Sequence, residues 1–315
     1  MSILIDAQTT FIVQGITGRE AVNLTRECLD YGAGAKIVAG VTPGRRGREV
    51  HGVPVFDTVA QAVEHHGGAI DGSVVTVPPA FTRDAVFEAL ENAVKLIVIV
   101  TERIPRRDVA AMVELAALRG ARIIGPNCLG IIVPDVIKMG GIGGPAKNAA
   151  QAYTPGPVGV ISRSGGMTTE MSSTLSAAGL GQSTAVSIGG DAIIGSTYAE
   201  LMPLFAADEQ TRGIVIYTEP GGRMEAELAS WVLAREERER LPIVAFMAGR
   251  FMDEMPGMSF GHAGTIVEGK EDTASEKIAR LAHAGIDVAE RIEDIPGMIR
   301  AKLAERGAAK EESLA

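Results

Sequence analysis

Short apolar runs, each closed by a glycine or proline turn and followed by a longer amphipathic segment, recur along almost the whole chain. The run Leu96-Ile97-Val98-Ile99-Val100 is apolar throughout, as expected of a central parallel strand covered on both faces. This alternation predicts βαβ units and an α/β fold built on parallel sheets. In such sheets ligands sit beyond the carboxyl ends of the strands, so the turns that close the runs are where function is to be sought.

Strands are expected in the first half at 11–15, 37–41, 53–56, 72–79, 96–100 and 122–125. Helices are expected at 17–31, 82–94 and 106–119, with a further one capped by Asp57-Thr58. From Gly140 to Pro157 the composition shifts to Gly, Ala, Asn and Pro with little periodicity, which marks a connection. The second half resumes with strands at 158–161, 183–188, 213–217, 242–248 and an edge strand at 287–289. Its helices are expected at 167–178, 196–206, 223–240, 273–284 and 295–305. The division that follows is a first domain over 1–139, a linker over 140–157, a second domain over 158–308 and a polar, fraying tail over 309–315.

Composition narrows the function classes. With 315 residues, 46% hydrophobic and 22% charged, the chain suits two globular domains. A net charge of −9 argues against a nucleic-acid footprint. Cys28 and Cys128 form no disulfide framework and no CxxC spacing suggests a metal site, so a reducing cytoplasm and no metal ligands are expected. The amino terminus lacks the features of a signal peptide, and no apolar run approaches the ~20 residues that would span a bilayer.

Five turns carry the chemistry. At Gly15-Ile16-Thr17-Gly18 a strand passes into a helix through two glycines, which serves either a plain tight turn or a phosphate held by backbone amides. The second strand ends in Thr42-Pro43-Gly44-Arg45-Arg46 with no acidic residue to hold a ribose, which weighs against a dinucleotide oxidoreductase and suits a phosphorylated nucleotide better. Ser162-Arg163-Ser164-Gly165-Gly166-Met167 offers free amides for a carboxylate or phosphate, or an ordinary serine cap; it lacks the Gly-x-Ser-x-Gly of a hydrolase elbow. Glu219, in Tyr217-Thr218-Glu219-Pro220-Gly221-Gly222, can reach His262, in Phe260-Gly261-His262-Ala263-Gly264-Thr265, if the sheet is parallel. Such a pair leaves the other ring nitrogen neutral and nucleophilic, which makes His262 a candidate phosphoryl carrier. The other histidines and Cys128 read as structural.

Taken jointly, Gln14-Gly15-Ile16-Thr17-Gly18, Val41-Thr42-Pro43-Gly44, Gly125-Pro126-Asn127-Cys128, Ser162-Arg163-Ser164-Gly165, Ile188-Gly189-Gly190-Asp191, Glu219-Pro220-Gly221-Gly222 and Gly261-His262-Ala263-Gly264 resemble the α subunit of succinate–CoA ligase, over almost the whole chain and in order. The resemblance implies a Rossmann-like CoA-binding domain followed by a flavodoxin-like ligase domain, and a β subunit whose ATP-grasp domain binds ATP or GTP with Mg2+. It implies that Thr17, Gly18, Arg19 and Glu20 form a CoA phosphate loop, that Arg45 stands at a CoA-binding lysine position, and that Val100, Thr101 and Glu102 form a later CoA segment. His262 would be the phosphorylated histidine, with Glu219 as its partner. The implied chemistry passes a phosphoryl group from the nucleotide to His262, then to a small di- or tricarboxylate, whose acyl phosphate is attacked by the CoA thiol.

Ser164, Gly165, Gly166 and Thr169 fall in the acid-binding stretch, where this chain departs from the family: Thr169 replaces a tyrosine. Together with Lys138-Met139-Gly140-Gly141-Ile142-Gly143-Gly144, this stretch is similar to ATP-citrate lyase and citryl-CoA synthetase, so citryl- or malyl-CoA formation is the alternative to succinyl-CoA. A non-catalytic CoA-binding regulatory protein is the rival from another class.

Overall fold

A computed structural model describes residues 2–258 and 261–312 of the chain. Phe260 therefore lies outside the described residues. The first sheet contains β1 (Thr10–Gln14), β2 (Lys36–Val41), β3 (Glu49–Val50), β4 (Val53–Phe56), β5 (Gly72–Val75), β6 (Leu96–Ile99) and β7 (Arg122–Ile124). Helices α1 (Arg19–Leu29), α2 (Val59–His66), α3 (Pro79–Glu91) and α4 (Arg106–Leu118) connect them. The order is β3-β4-β2-β1-β5-β6-β7, parallel except where β3 meets β4. Without the small strand β3 this is the Rossmann order, with its switch point between β1 and β5.

The second sheet contains β8 (Gly130–Val133), β9 (Ile137–Met139), β10 (Pro155–Ser162), β11 (Gln182–Ser187), β12 (Gly213–Thr218), β13 (Ile243–Met247) and β14 (Asp287–Ala289). Its helices are α5 (Ala146–Ala152), α6 (Gly165–Ala177), α7 (Tyr198–Ala207), α8 (Met224–Leu233), α9 (Ala274–His283) and α10 (Ile295–Glu312). The order is β14-β13-β12-β10-β11-β8-β9. From β10 to β14 the strands are parallel and in flavodoxin-like order. Strands β5, β6, β11 and β12 are buried along their whole length, as their continuous apolar or small-residue runs require.

The structure corrects the expected layout in several places. The second sheet is mixed: β8 runs antiparallel to β11, and β9 antiparallel to β8. A short hairpin can extend a sheet only in that sense, because a parallel strand would need a crossover. Residues 130–139 thus pair with the second sheet, although the sequence reading put them in the first domain. Residues 140–157 are not a bare linker. They contain α5, which begins after Pro145, buries Ala149 and Ala152, and has the amide of Ala146 bonded to the Glu27 carboxylate at 2.7 Å.

The helix expected over 223–240 stops at Leu233. There Arg235 folds back, its guanidinium 3.4 Å above the Trp231 ring and bonded to the Trp231 carbonyl, and the remaining charged run forms a short 3-10 turn. At the other end, α10 continues through Glu312 where a frayed tail was expected from 309.

One apolar cluster joins both sheets. Phe11, Val13, Val74 and Val98 of the first belong to the same packed core as Ile161, Val186, Ile214 and Ile216 of the second. The carboxyl ends of β6 and β10 are thereby brought face to face, since Val100 and Glu102 line one cavity with Ser164 and Gly165.

Candidate functional site

Several concave regions lie along the strand ends, and two of them gather the expected site residues. The larger, about 1120 Å³, lies over the switch point of the first sheet and is lined by Thr17, Gly18, Arg19, Glu20, Thr42 and Phe81 among others. Gly15 turns the chain at φ +87°, and a Cβ there would stand 2.9 Å from the Thr76 hydroxyl, so only glycine allows this approach. Gly18 precedes α1 in an extended conformation with no side-chain cap. The first amides of α1 therefore point outward without intrahelical partners, in the arrangement that suits an oxyanion. The Thr42 hydroxyl, buried in the same cleft, has no partner among the described residues.

The smaller cavity, about 280 Å³, is lined by Val100, Glu102, Asn127, Cys128, Leu129, Ser164, Gly165, Gly166 and His262. Ser164 caps α6, its hydroxyl accepting from the Met167 amide at 3.4 Å. A Cβ on Gly165 would collide with Leu129 at 2.4 Å, so backbone rather than side chain faces the cavity there.

His262 hangs over this cavity and turns its Nδ1 to Oε2 of Glu219 at 2.8 Å. The other carboxylate oxygen accepts from the Tyr217 hydroxyl at 3.1 Å. Burial alone would raise the Glu219 pKa, but the bond from His262 and the nearby charge of Arg163 hold it below its ordinary value. In return the bond to Glu219 raises the His262 pKa against the opposing effect of burial. With Nδ1 occupied by the carboxylate, Nε2 is the nitrogen left for bonding elsewhere. A Cβ on Gly190 would stand 2.4 Å from the imidazole, so the ring is packed directly on a glycine backbone.

The carboxylate is held from below. Lys277, buried in α9, donates to the carbonyls of Glu219 and Gly221 at 3.2 and 2.5 Å and to Glu225 at 2.6 Å. The second oxygen of Glu225 accepts from Thr218. Arg163 is buried as well, at 2% exposure, and among the described residues its side chain reaches only the carbonyls of Gly190 and Asp191, each at 3.5 Å.

The structure brings His262 and Glu219 together with Ser164, Gly165 and Gly166, and gathers Thr17 to Glu20 at the larger cleft. Five expected site residues lie elsewhere. Arg45 sits on an exposed turn, its amide on Asp57, and does not line the cleft. Val100 and Glu102 line the smaller cavity, not the larger cleft, while Thr101 bonds the Val77 carbonyl at 2.7 Å between the two. Thr169 does not line the cavity; its hydroxyl is 2.9 Å from that of buried Tyr153. Cys128 is at the cavity wall, but burial pushes its thiol up to about 12, which leaves it an inert core group. Arg163, Lys277 and Glu225 escaped the sequence reading. The one signal for Lys277 is its place on the apolar face of α9, between Ala274 and Leu281.

Comparison with known proteins agrees with this architecture. Residues 6–103 match the CoA binding domain family and residues 161–286 the CoA-ligase family. Succinate–CoA ligase [ADP-forming] subunit alpha 1 of Archaeoglobus fulgidus is 40% identical over 300 residues, 95% of this chain and 98% of the relative. The corresponding α subunit of Staphylococcus aureus is 40% identical over 289 residues, 92% of this chain and 91% of its own. Among solved structures, Methanosaeta concilii ATP citrate lyase in complex with (3S)-citryl-CoA superposes with a TM-score of 0.87 at 24% identity, over 96% of this chain and 51% of that one. This chain thus spans about half of that structure, and the likeness at that identity concerns the fold.

Proposed function

Because the chain belongs to the succinate–CoA ligase α-subunit family, we propose that it is the histidine-bearing half of a nucleotide-dependent carboxylate–CoA ligase, complete only with a β subunit that holds ATP or GTP. The observation that carries this reading is the 2.8 Å bond between His262 Nδ1 and Glu219, made at the mouth of a cavity edged by the start of α6.

In the forward direction Nε2 of His262 attacks the terminal phosphorus of the nucleotide. An N–P bond forms, the bond to the leaving oxygen breaks, and the nucleoside diphosphate departs. Glu219 stabilises the imidazole as charge develops on it. The acid's carboxylate oxygen then takes the phosphoryl group from Nε2, with the amides at the start of α6 facing the transferring oxyanion. The CoA thiolate attacks the acyl carbon of the mixed anhydride, and inorganic phosphate leaves with the electron pair of the broken C–O bond. Mg2+, arriving with the nucleotide, would neutralise phosphate charge.

CoA fits the larger cleft by its chemistry: uncapped amides at the start of α1 for its phosphates, a Thr42 hydroxyl without a partner among the described residues, and apolar walls that include Phe81. From there its thiol end would pass Val100–Glu102 toward His262.

A second reading, in which the acid is a larger hydroxylated di- or tricarboxylate such as malate or citrate, is favoured at one point. A Cβ at Gly166 would meet nothing within 4 Å, and Thr169 is turned away to Tyr153, so the acid end of the cavity is open.

The test uses this chain with the β subunit of its host, supplied with ATP or GTP, Mg2+, CoA and separately succinate, malate or citrate. The native protein is expected to carry acid-labile phosphate on His262 and to form one thioester preferentially; His262→Asn is expected to do neither. No labelled histidine and no thioester with any acid would move the reading to a non-catalytic CoA-binding protein.

A further inference from the structure

Arg163 is an anomaly in this core. Its side chain is only 2% exposed, yet Nε and Nη1 are buried without any partner among the described residues, and Nη2 has only two long contacts. A buried cation left in that state is costly, so its geometry invites a use in another state of the molecule. The groups that feel its charge are those around His262: Glu219, His262 itself, Tyr217, Tyr198 and Lys277. Arg163 borders a cavity of about 510 Å³ that Arg223 and Ala263 also line, and the histidine loop packs on it, since a Cβ on Gly264 would lie 2.3 Å from Nη2.

The loop must open if His262 is a carrier. On that reading the nucleotide is held by the partner subunit and the acid beside Ser164–Gly166, so loading takes place away from Glu219. Among the described residues the attachments to break are the bond from His262 to Glu219 and the bond from the Gly264 amide to the Gly190 carbonyl at 3.1 Å. Departure of the ring leaves Glu219, 7% exposed, with Tyr217 as its one side-chain donor among the described residues. It also removes Gly264 from the guanidinium.

Resting on the carrier reading above, we propose that Arg163 is a positioning residue that takes over the Glu219 carboxylate while the loop 261–264 carries His262 away. The free Nε and Nη1 of Arg163 supply the donors that the imidazole withdraws. The carboxylate thus keeps a counter-charge throughout the cycle and stays ionised to receive the returning ring.

The test compares the two ways of labelling His262 in the complex with the β subunit, by single turnover. Loading from γ-32P-labelled nucleotide needs the loop to travel; loading from succinyl-CoA or citryl-CoA with 32P-phosphate uses His262 at its Glu219 station. Arg163→Met is expected to slow the first by about tenfold or more and to leave the second within about threefold. Arg163→Gln, which keeps hydrogen-bonding capacity in place of charge, is expected to show the same split if the methionine variant does not fold, and Arg163→Lys to recover part of the loss. In a Glu219→Gln background Arg163→Met should cost nothing further on the nucleotide side. Equal losses in both directions, or none in either, would overturn the proposal. Absence of label on the native histidine from both donors would instead sink the carrier reading on which it rests.

Discussion

His262 and Glu219, 43 residues apart in sequence, meet with Nδ1 and Oε2 at 2.8 Å. Parallel pairing of β12 with β13 puts the turn after Thr218 beside the segment that follows Met247, and the glycines at 190, 221 and 264 let the backbones close around the pair. The relationship fixes the ring's tautomer and is the feature on which the following expectations turn.

Glu219→Gln keeps an acceptor for Nδ1–H but removes the charge that stabilises the ring as it is phosphorylated. Nucleotide-driven labelling of His262 should slow by about a hundredfold, with the thermal transition little changed. Rapid-quench labelling of native and variant complexes measures it.

The pH dependence has a defined sign. The bond to Glu219 raises the His262 pKa above its ordinary 6.5, and only the neutral ring attacks phosphorus. Labelling should therefore rise with pH along a limb centred above 6.5, and Glu219→Gln should move that limb to lower pH. Stability runs the other way: the contribution of the histidine is full below its unfolded pKa and is lost as pH rises through the folded one. The carboxyl, held below its ordinary value, adds stability that disappears as pH falls through its lowered pKa. Titration of the His262 ring by NMR, beside denaturation midpoints across the same range, checks both.

Lys277→Met leaves Glu225 buried without its cation and frees the carbonyls of Glu219 and Gly221. A loss of about 3 kcal/mol in unfolding free energy is expected. Adding Glu225→Leu should recover most of that stability but not the labelling rate, because the turn that carries Glu219 stays untied. Urea denaturation and rapid-quench labelling separate the two effects.

Gly15→Ala forces a side chain onto Thr76 at a positive φ. CoA should bind about tenfold more weakly, while labelling of His262 from nucleotide stays near native, since that half of the cycle does not use the cleft. Calorimetric titration with CoA, set against the labelling rate, tests this division.

Much of this arrangement was legible in the residues. The apolar run at Leu96–Ile99 pointed to a buried parallel strand, and the glycine turns at 15–18, 164–166, 219–222 and 261–264 marked the strand ends where the cavities lie. The hairpin of β8 and β9 was not legible, because an apolar run such as Gly130–Val133 says that it is buried but not which sheet it joins. The early end of α8 was hidden for a different reason: Arg235 stops the helix by stacking on Trp231, a contact that residue propensities do not contain. Lys277 and Glu225 pair across 52 residues, and their charge argued for solvent until the fold enclosed them. Arg163 stood inside a motif read for its serine and glycines, so its own burial went unseen.

The apolar core that runs without a break from Phe11 and Val98 to Ile161 and Ile216 has a mechanical meaning. Opening a seam between the halves would expose the interior of both at once, so they cannot work as jaws that close on a substrate. The molecule behaves as a rigid gauge: the span from the cleft at Thr17 to the station at Glu219 is set by the core, and whatever bridges it must match that length. On the carrier reading, motion is left to the light, glycine-bounded arm that carries His262, which among the described residues is tied to the frame by the bonds from His262 to Glu219 and from Gly264 to Gly190.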